Sequence, residues 1–171
     1  VIRINHILQA KYLAAFLLMQ IPLLYRLVFF DVAFGFFYVG YILLLPHGTN
    51  RSLIMVIGML SGLLIDVFSS TPGIHASACV LITFIKDSWY NVANEHSEDD
   101  VDLSVNAVGL WGFTKYALPL IFIHHCIIFI VENGGLINFW MLSGKIFYST
   151  ILSFIIILTI GYLLSPRKQR I

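Results

Sequence analysis

Asp66 and His75 are the residues of this chain whose types and placing could do chemistry. They flank the turn Ser69-Ser70-Thr71-Pro72-Gly73, inside an otherwise apolar run from Arg51 to Ile85. Lipid penalises both a carboxylate and an imidazole, so such groups either serve a proton or ion relay or are held by a structural contact. Two contacts are open: the carboxylate pairs with the imidazole, or it caps the open N–H groups at the start of the following helix. The structural contact is the favoured reading, because a relay needs a chain of ionisable groups across the bilayer and the other candidates do not form one. His124 and His125 are adjacent, so on a helix they point about 100° apart, which suits helix–helix hydrogen bonding better than shared ligation. Gln20 reads as an interhelical donor and acceptor, with a substrate contact as the minor alternative.

Enzyme templates fail on this chain. It has no GxSxG elbow, HExxH, P-loop or facing aspartate pair, and no nucleophile or metal partner is spaced to work with Asp66. The acidic run Glu95, Glu98, Asp99, Asp100 and Asp102 lacks the glycine-punctuated spacing of a calcium loop. It reads as a solvated loop, with docking to a basic partner as the lesser alternative. Cys79 and Cys126 fall in apolar segments and read as packing groups. No catalytic residue, cofactor, metal or nucleic acid is expected.

The elements that must position these groups are membrane helices. Of 171 residues, 59% are hydrophobic and only 11% charged, too little polar surface to cover a soluble globule. The expected class is an all-α polytopic membrane protein with about six transmembrane helices. The expected spans are 6–24, 29–45, 53–70, 73–90, 115–132 and 146–164, in one integral membrane domain covering 1–171. The opening stretch is too long and apolar for a signal-peptide core and reads as a retained helix. A cytoplasmic acidic loop is expected over 91–113. The run from Leu136 to Leu164 is expected to divide at Gly144-Lys145, leaving an interfacial or re-entrant segment at 136–145 with Phe139 and Trp140. Six spans place Arg3, Lys11, Arg51, Lys86, Lys115, Arg167, Lys168 and Arg170 on one side and Arg26 and Lys145 on the other. Both termini are therefore expected in the cytoplasm.

Gly58, Gly62 and Asp66 recur every four residues and so line one stripe of the third span. Small residues at that spacing let another backbone approach. The fourth span opens with Gly73 and offers Ala76, Ser77 and Ala78, so a tight helical hairpin is the economical arrangement.

The Leu43-Leu44-Leu45-Pro46 segment, Arg51, and Gly58 to Ala78, GMLSGLLIDVFSSTPGIHASA, together resemble the signature of the MreD family of bacterial rod-shape membrane proteins. The detailed match covers residues 43–86; beyond it, length, span order and the position of Gln20 are similar. Lys86, followed by Asp87, departs from the arginine-proline expected there, keeping charge without a bidentate fork.

The resemblance implies a non-enzymatic scaffold of the elongasome in the bacterial inner membrane. Implied partners are MreC, most directly, with MreB, RodA and a class B penicillin-binding transpeptidase in lateral peptidoglycan synthesis, and membrane lipid around the helices. It also implies a fold resembling the substrate-binding subunits of energy-coupling-factor transporters. Gly58, Gly62, Asp66, Gly73 and His75 are the helix-packing and partner-docking candidates, and Gln20, Arg51 and Lys86 the secondary polar ones. The alternative is a ligand-binding subunit of a vitamin-type transporter, for which Asn138, Phe139, Trp140 and His75 would converge on a pocket.

Overall fold

The computed structural model describes residues 13–14, 16–20, 28–29, 33–94, 103 and 105–164. Its elements are β1 (Val28–Phe29), β2 (Ala33–Phe34), α1 (Val39–Leu43), α2 (Arg51–Ser69), α3 (Ile74–Ala93), α4 (Val105–Glu132) and α5 (Phe139–Leu164), and residues 16–20 are also helical. The protein is predominantly α-helical. Among the described residues three helices, α2, α4 and α5, are long and apolar enough to cross a membrane. The acidic residues at 95–102 and the basic residues Arg3, Lys11, Arg26, Arg167, Lys168 and Arg170 lie outside the described residues.

Local chemistry sets the central hairpin. Asn50 caps α2, its Oδ1 accepting the N–H groups of Ser52 (3.0 Å) and Leu53 (3.2 Å). The helix ends at Ser70 in the left-handed region, and Gly73 at φ +81° starts α3 in a conformation a Cβ would disfavour. The chain turns back between them, so α3 runs antiparallel along α2. Packing continues in chain order, α3 against α4 and α4 against α5, with α1 seated on α3 and β2 on α5. All five residues of α1 are buried, and Ile65, Ile82, Tyr116, Leu120 and Ile157 help to fill the core around it.

Three expected boundaries differ. The span expected at 29–45 is not one helix: β1 pairs antiparallel with β2 (Val28 opposite Phe34, Phe29 opposite Ala33), and of its described residues only Val39–Leu43 are α-helical. Hydropathy is the same whichever way an apolar backbone is folded. Such irregular backbone is tolerated at membrane depth only where other protein groups satisfy it. Second, helix begins at Val105 rather than 115, with non-helical geometry at Gly109 (φ 75°, ψ 161°) setting its first turn apart. That shortens the loop expected over 91–113. Third, α5 runs unbroken through Gly144-Lys145, because an interior glycine costs only about 1 kcal/mol and Leu142 and Ile146 are buried on either side of it.

Candidate functional site

The stripe on α2 lies inside the hairpin. A Cβ on Gly62 would stand 2.6 Å from both the Ala76 amide nitrogen and the His75 carbonyl oxygen, so the two backbones are in contact there. One turn earlier, a Cβ on Gly58 would meet the Thr83 side chain at 2.7 Å. One turn later, Asp66 reaches across the turn: Oδ1 accepts the N–H of His75 (3.0 Å) and Oδ2 that of Ala76 (2.9 Å). These are the second and third residues of α3, the positions an N-cap side chain normally serves, and Gly73 at the cap has no side chain to serve them. Thr71 completes the clasp by donating its hydroxyl to Asp66 Oδ1 at 2.7 Å. Of the two contacts open to Asp66, the structure forms the helix cap. The helix dipole adds to its stability.

The His75 ring turns away from the carboxylate into the core. Its Nδ1 lies 2.8 Å from the Tyr38 hydroxyl, which lies 2.9 Å from Nε2 of His124 on its other side. A hydroxyl carries one proton, so Tyr38 donates to one imidazole and accepts from the other. His124 Nδ1 is buried with no partner among the described residues. An unpartnered ring nitrogen is less costly as a lone pair than as an N–H, which assigns the donated proton to His75 Nδ1 and makes His124 Nε2–H the donor to Tyr38. His125 points elsewhere, as the helical angle requires: Nε2 lies 3.2 Å from Ser153 Oγ on α5, and Nδ1 lies 2.8 Å from the Ile121 carbonyl.

Gln20 holds the irregular segment. Its Nε2 donates to the Gly35 carbonyl (3.0 Å), while Oε1 accepts the N–H groups of Phe37 (2.8 Å) and Tyr38 (3.1 Å). Ser149 on α5 accepts the Phe34 N–H at 2.9 Å. Three of the backbone groups that a helix at 29–45 would have paired internally are thus paired by one glutamine, and Tyr38 is fixed under the two histidines.

Lys86 is fully buried, with Nζ 3.2 Å from the Leu45 carbonyl and 3.0 Å from Asp87 Oδ1; His47 Nδ1 lies 3.4 Å from the same carboxylate oxygen. Tyr116 donates to the Leu43 carbonyl at 3.1 Å. Together Lys86 and Tyr116 satisfy carbonyls left open where α1 ends. Arg51, by contrast, is exposed; its guanidinium lies over the Phe84 ring, 4.2 Å from the centroid, and donates to the Phe84 carbonyl.

A further repair lies in α4. Pro119 has no N–H, which leaves the carbonyl of Lys115 without its helical partner. The indole N–H of Trp89 on α3 lies 3.2 Å from that carbonyl and 3.2 Å from the next, Tyr116.

The structure therefore brings Gly58, Gly62, Asp66, Gly73 and His75 together in one hairpin, with Gln20 joining it through Tyr38. Lys86 and Arg51 sit separately toward the hairpin's open end. The stripe proposed for docking is occupied by the chain's own α3. His75 does not line the cavity that Asn138 lines, and Phe139 and Trp140 are exposed, Trp140 at 87%. Among the described residues no group of three or more His, Cys, Asp or Glu side chains converges as a metal site. Tyr38, Ser153, Trp89, Tyr116, Ser149 and His47 take part without a signal read from the sequence, although for Trp89 one exists in Pro119, which announces an open carbonyl four residues earlier. No family model, curated protein or solved structure matches the chain.

Proposed function

We propose that this chain is a non-enzymatic membrane scaffold of the bacterial elongasome, which binds MreC and helps couple the MreB filament to lateral peptidoglycan synthesis and rod shape. In this reading it lies in the inner membrane with both termini cytoplasmic, and α3 is a further crossing packed between α2 and α4. The resemblance over residues 43–86 supports it. The structural observation that carries it is how the polar side chains are used. Asp66, Gln20, Lys86, Tyr116 and Trp89 each bond an open backbone group, His75 and His124 share the Tyr38 hydroxyl, and His125 bonds Ser153 of α5. That chemistry makes a rigid body with an apolar exterior, suited to seating other transmembrane helices.

Because Gly58 and Gly62 face inward, a partner helix must use another face. An apolar groove between α2 and α3, bordered by Met59, Leu63, Leu81 and Phe84, is the surface this reading assigns to it. Photo-crosslinking residues placed at Leu63 and Leu81, in cells that express MreC, test the assignment. Crosslinks to MreC from both positions are expected. Failure to recover MreC by crosslinking or by mild-detergent co-purification, from correctly inserted protein, would overturn the scaffold reading.

A further inference from the structure

The turn joining α4 to α5 borders an open-sided pocket of about 240 Å³ lined by Phe129, Glu132, Asn138, Met141, Leu142 and Lys145, among others, with Glu132, Asn138 and Met141 exposed. It lies where α4 ends and α5 begins, and both helices are long and apolar enough to span, so in a bilayer crossed by both it would sit at the boundary between hydrocarbon and water. Its walls are of two kinds. Phe129, Met141 and Leu142 are apolar, whereas Glu132 and Lys145 put one carboxylate and one ammonium into the same space. Among the described residues neither charge forms a direct ion pair; the Lys145 ammonium acts on the Glu132 carboxylate across the space between them, and its Nζ lies 5.5 Å from the centroid of the Phe34 ring. The turn itself is pinned by backbone bonds from Asn133, Gly134 and Gly135 to the end of α4 and by the Asn133 side chain bonding the carbonyls of Gly135 and Ile137.

We propose that this pocket binds the headgroup of a phosphoethanolamine-type zwitterion, with the phosphate at Lys145 and the primary ammonium at Glu132. The size suits a headgroup: it falls below the roughly 300–1,000 Å³ typical of pockets that take drug-sized molecules. The charges exclude simple ions, since an anion at Lys145 would face the Glu132 carboxylate and a cation at Glu132 would face the lysine. A molecule carrying both signs a few bonds apart satisfies both. The apolar wall formed by Met141 and Leu142 beside the charges fits a ligand that continues into hydrocarbon, as a phospholipid does. The primary amine is specified by the carboxylate, which accepts hydrogen bonds that a quaternary ammonium cannot donate.

The inference rests on α4 and α5 lying in a membrane and is independent of the elongasome reading. Full-length protein, delipidated in detergent, is titrated with phosphatidylethanolamine, phosphatidylcholine and phosphatidylglycerol of identical acyl chains, and with water-soluble O-phosphoethanolamine. Binding is read by native mass spectrometry and by the shift in melting temperature. Phosphatidylethanolamine is expected to bind about tenfold tighter than either other lipid, a difference readily resolved. Lys145→Met and Glu132→Gln should each abolish that preference, while Lys145→Arg should retain it. Binding by the lipid alone identifies a membrane ligand; equal binding by O-phosphoethanolamine identifies a soluble one. Equal retention of all three lipids by the wild-type protein would overturn the site, and that measurement needs no variant to fold. Preference for phosphatidylglycerol would overturn it too, by showing a plain anion site.

Discussion

Asp66 reaches His75 through the backbone amide, 3.0 Å from Oδ1, and not through the ring, which bonds Tyr38 instead. One residue therefore belongs to two structures. Its backbone is part of a helix cap, and its side chain is part of a buried bridge to α4. The cap fixes where α3 starts and so fixes the depth of the imidazole, which ties the hairpin to the irregular segment that carries Tyr38.

Asp66→Asn is expected to lower stability by about 1–3 kcal/mol, the cost of leaving a buried donor without its acceptor. Both carboxylate oxygens accept backbone N–H groups, so an amide must turn its NH₂ toward one of them. Thermal unfolding in detergent measures the loss, and hydrogen exchange should accelerate at His75 and Ala76 first. An unchanged melting temperature would refute the cap. Complete loss of function by Asp66→Asn in a fully assembled complex would instead revive the relay.

The stripe makes a ranking prediction. Gly62→Ala should destabilise more than Gly58→Ala, because the added methyl meets backbone at Gly62 and mainly a threonine side chain at Gly58. Overpacking of this kind costs about 1–3 kcal/mol, with Gly58→Ala toward the lower end. Melting temperatures in one detergent decide the order, and equal effects would mean the helices part easily at Ala76.

Tyr38→Phe removes one oxygen and leaves His75 Nδ1 and His124 Nε2 facing each other without it. A cost of about 1–3 kcal/mol for each stranded group is the expectation, reduced if the two rings approach. In a double-mutant cycle with His124→Leu, residues sharing a bond should show coupling of about 0.5–3 kcal/mol. Additive losses would show that the hydroxyl is not shared.

The hairpin was legible because its causes are local. Glycines and an aspartate recurring every four residues specify one face, and Thr-Pro-Gly specifies the turn. Gln20 was legible only as a residue needing partners. Its partners are backbone atoms at Gly35, Phe37 and Tyr38, and an open backbone group has no letter in the sequence. The departure from helix at 29–45 was hidden for the same reason. Tyr38 was masked by company: among Phe36, Phe37 and Tyr41 its hydroxyl reads as one more aromatic at an interface, and only the fold places it between two histidines. Lys86 shows its charge in the sequence, whereas its buried place also depends on the Leu45 carbonyl, a backbone group that the sequence does not display.

The pairing of Trp89 with the gap at Pro119 gives a test in which a second substitution should cancel the first. Trp89→Phe keeps most of the ring and removes the indole N–H, leaving the Lys115 carbonyl open in α4. A net loss near 1 kcal/mol is expected, typical of one hydrogen bond. Pro119→Ala restores an N–H to the helix, so that carbonyl regains its own helical partner. In the Pro119→Ala background the cost of Trp89→Phe should therefore fall toward that of ring packing alone. Melting of the four proteins in one cycle separates the contributions. An undiminished cost would assign Trp89 to packing, or to the neighbouring Tyr116 carbonyl, rather than to repair of the proline gap.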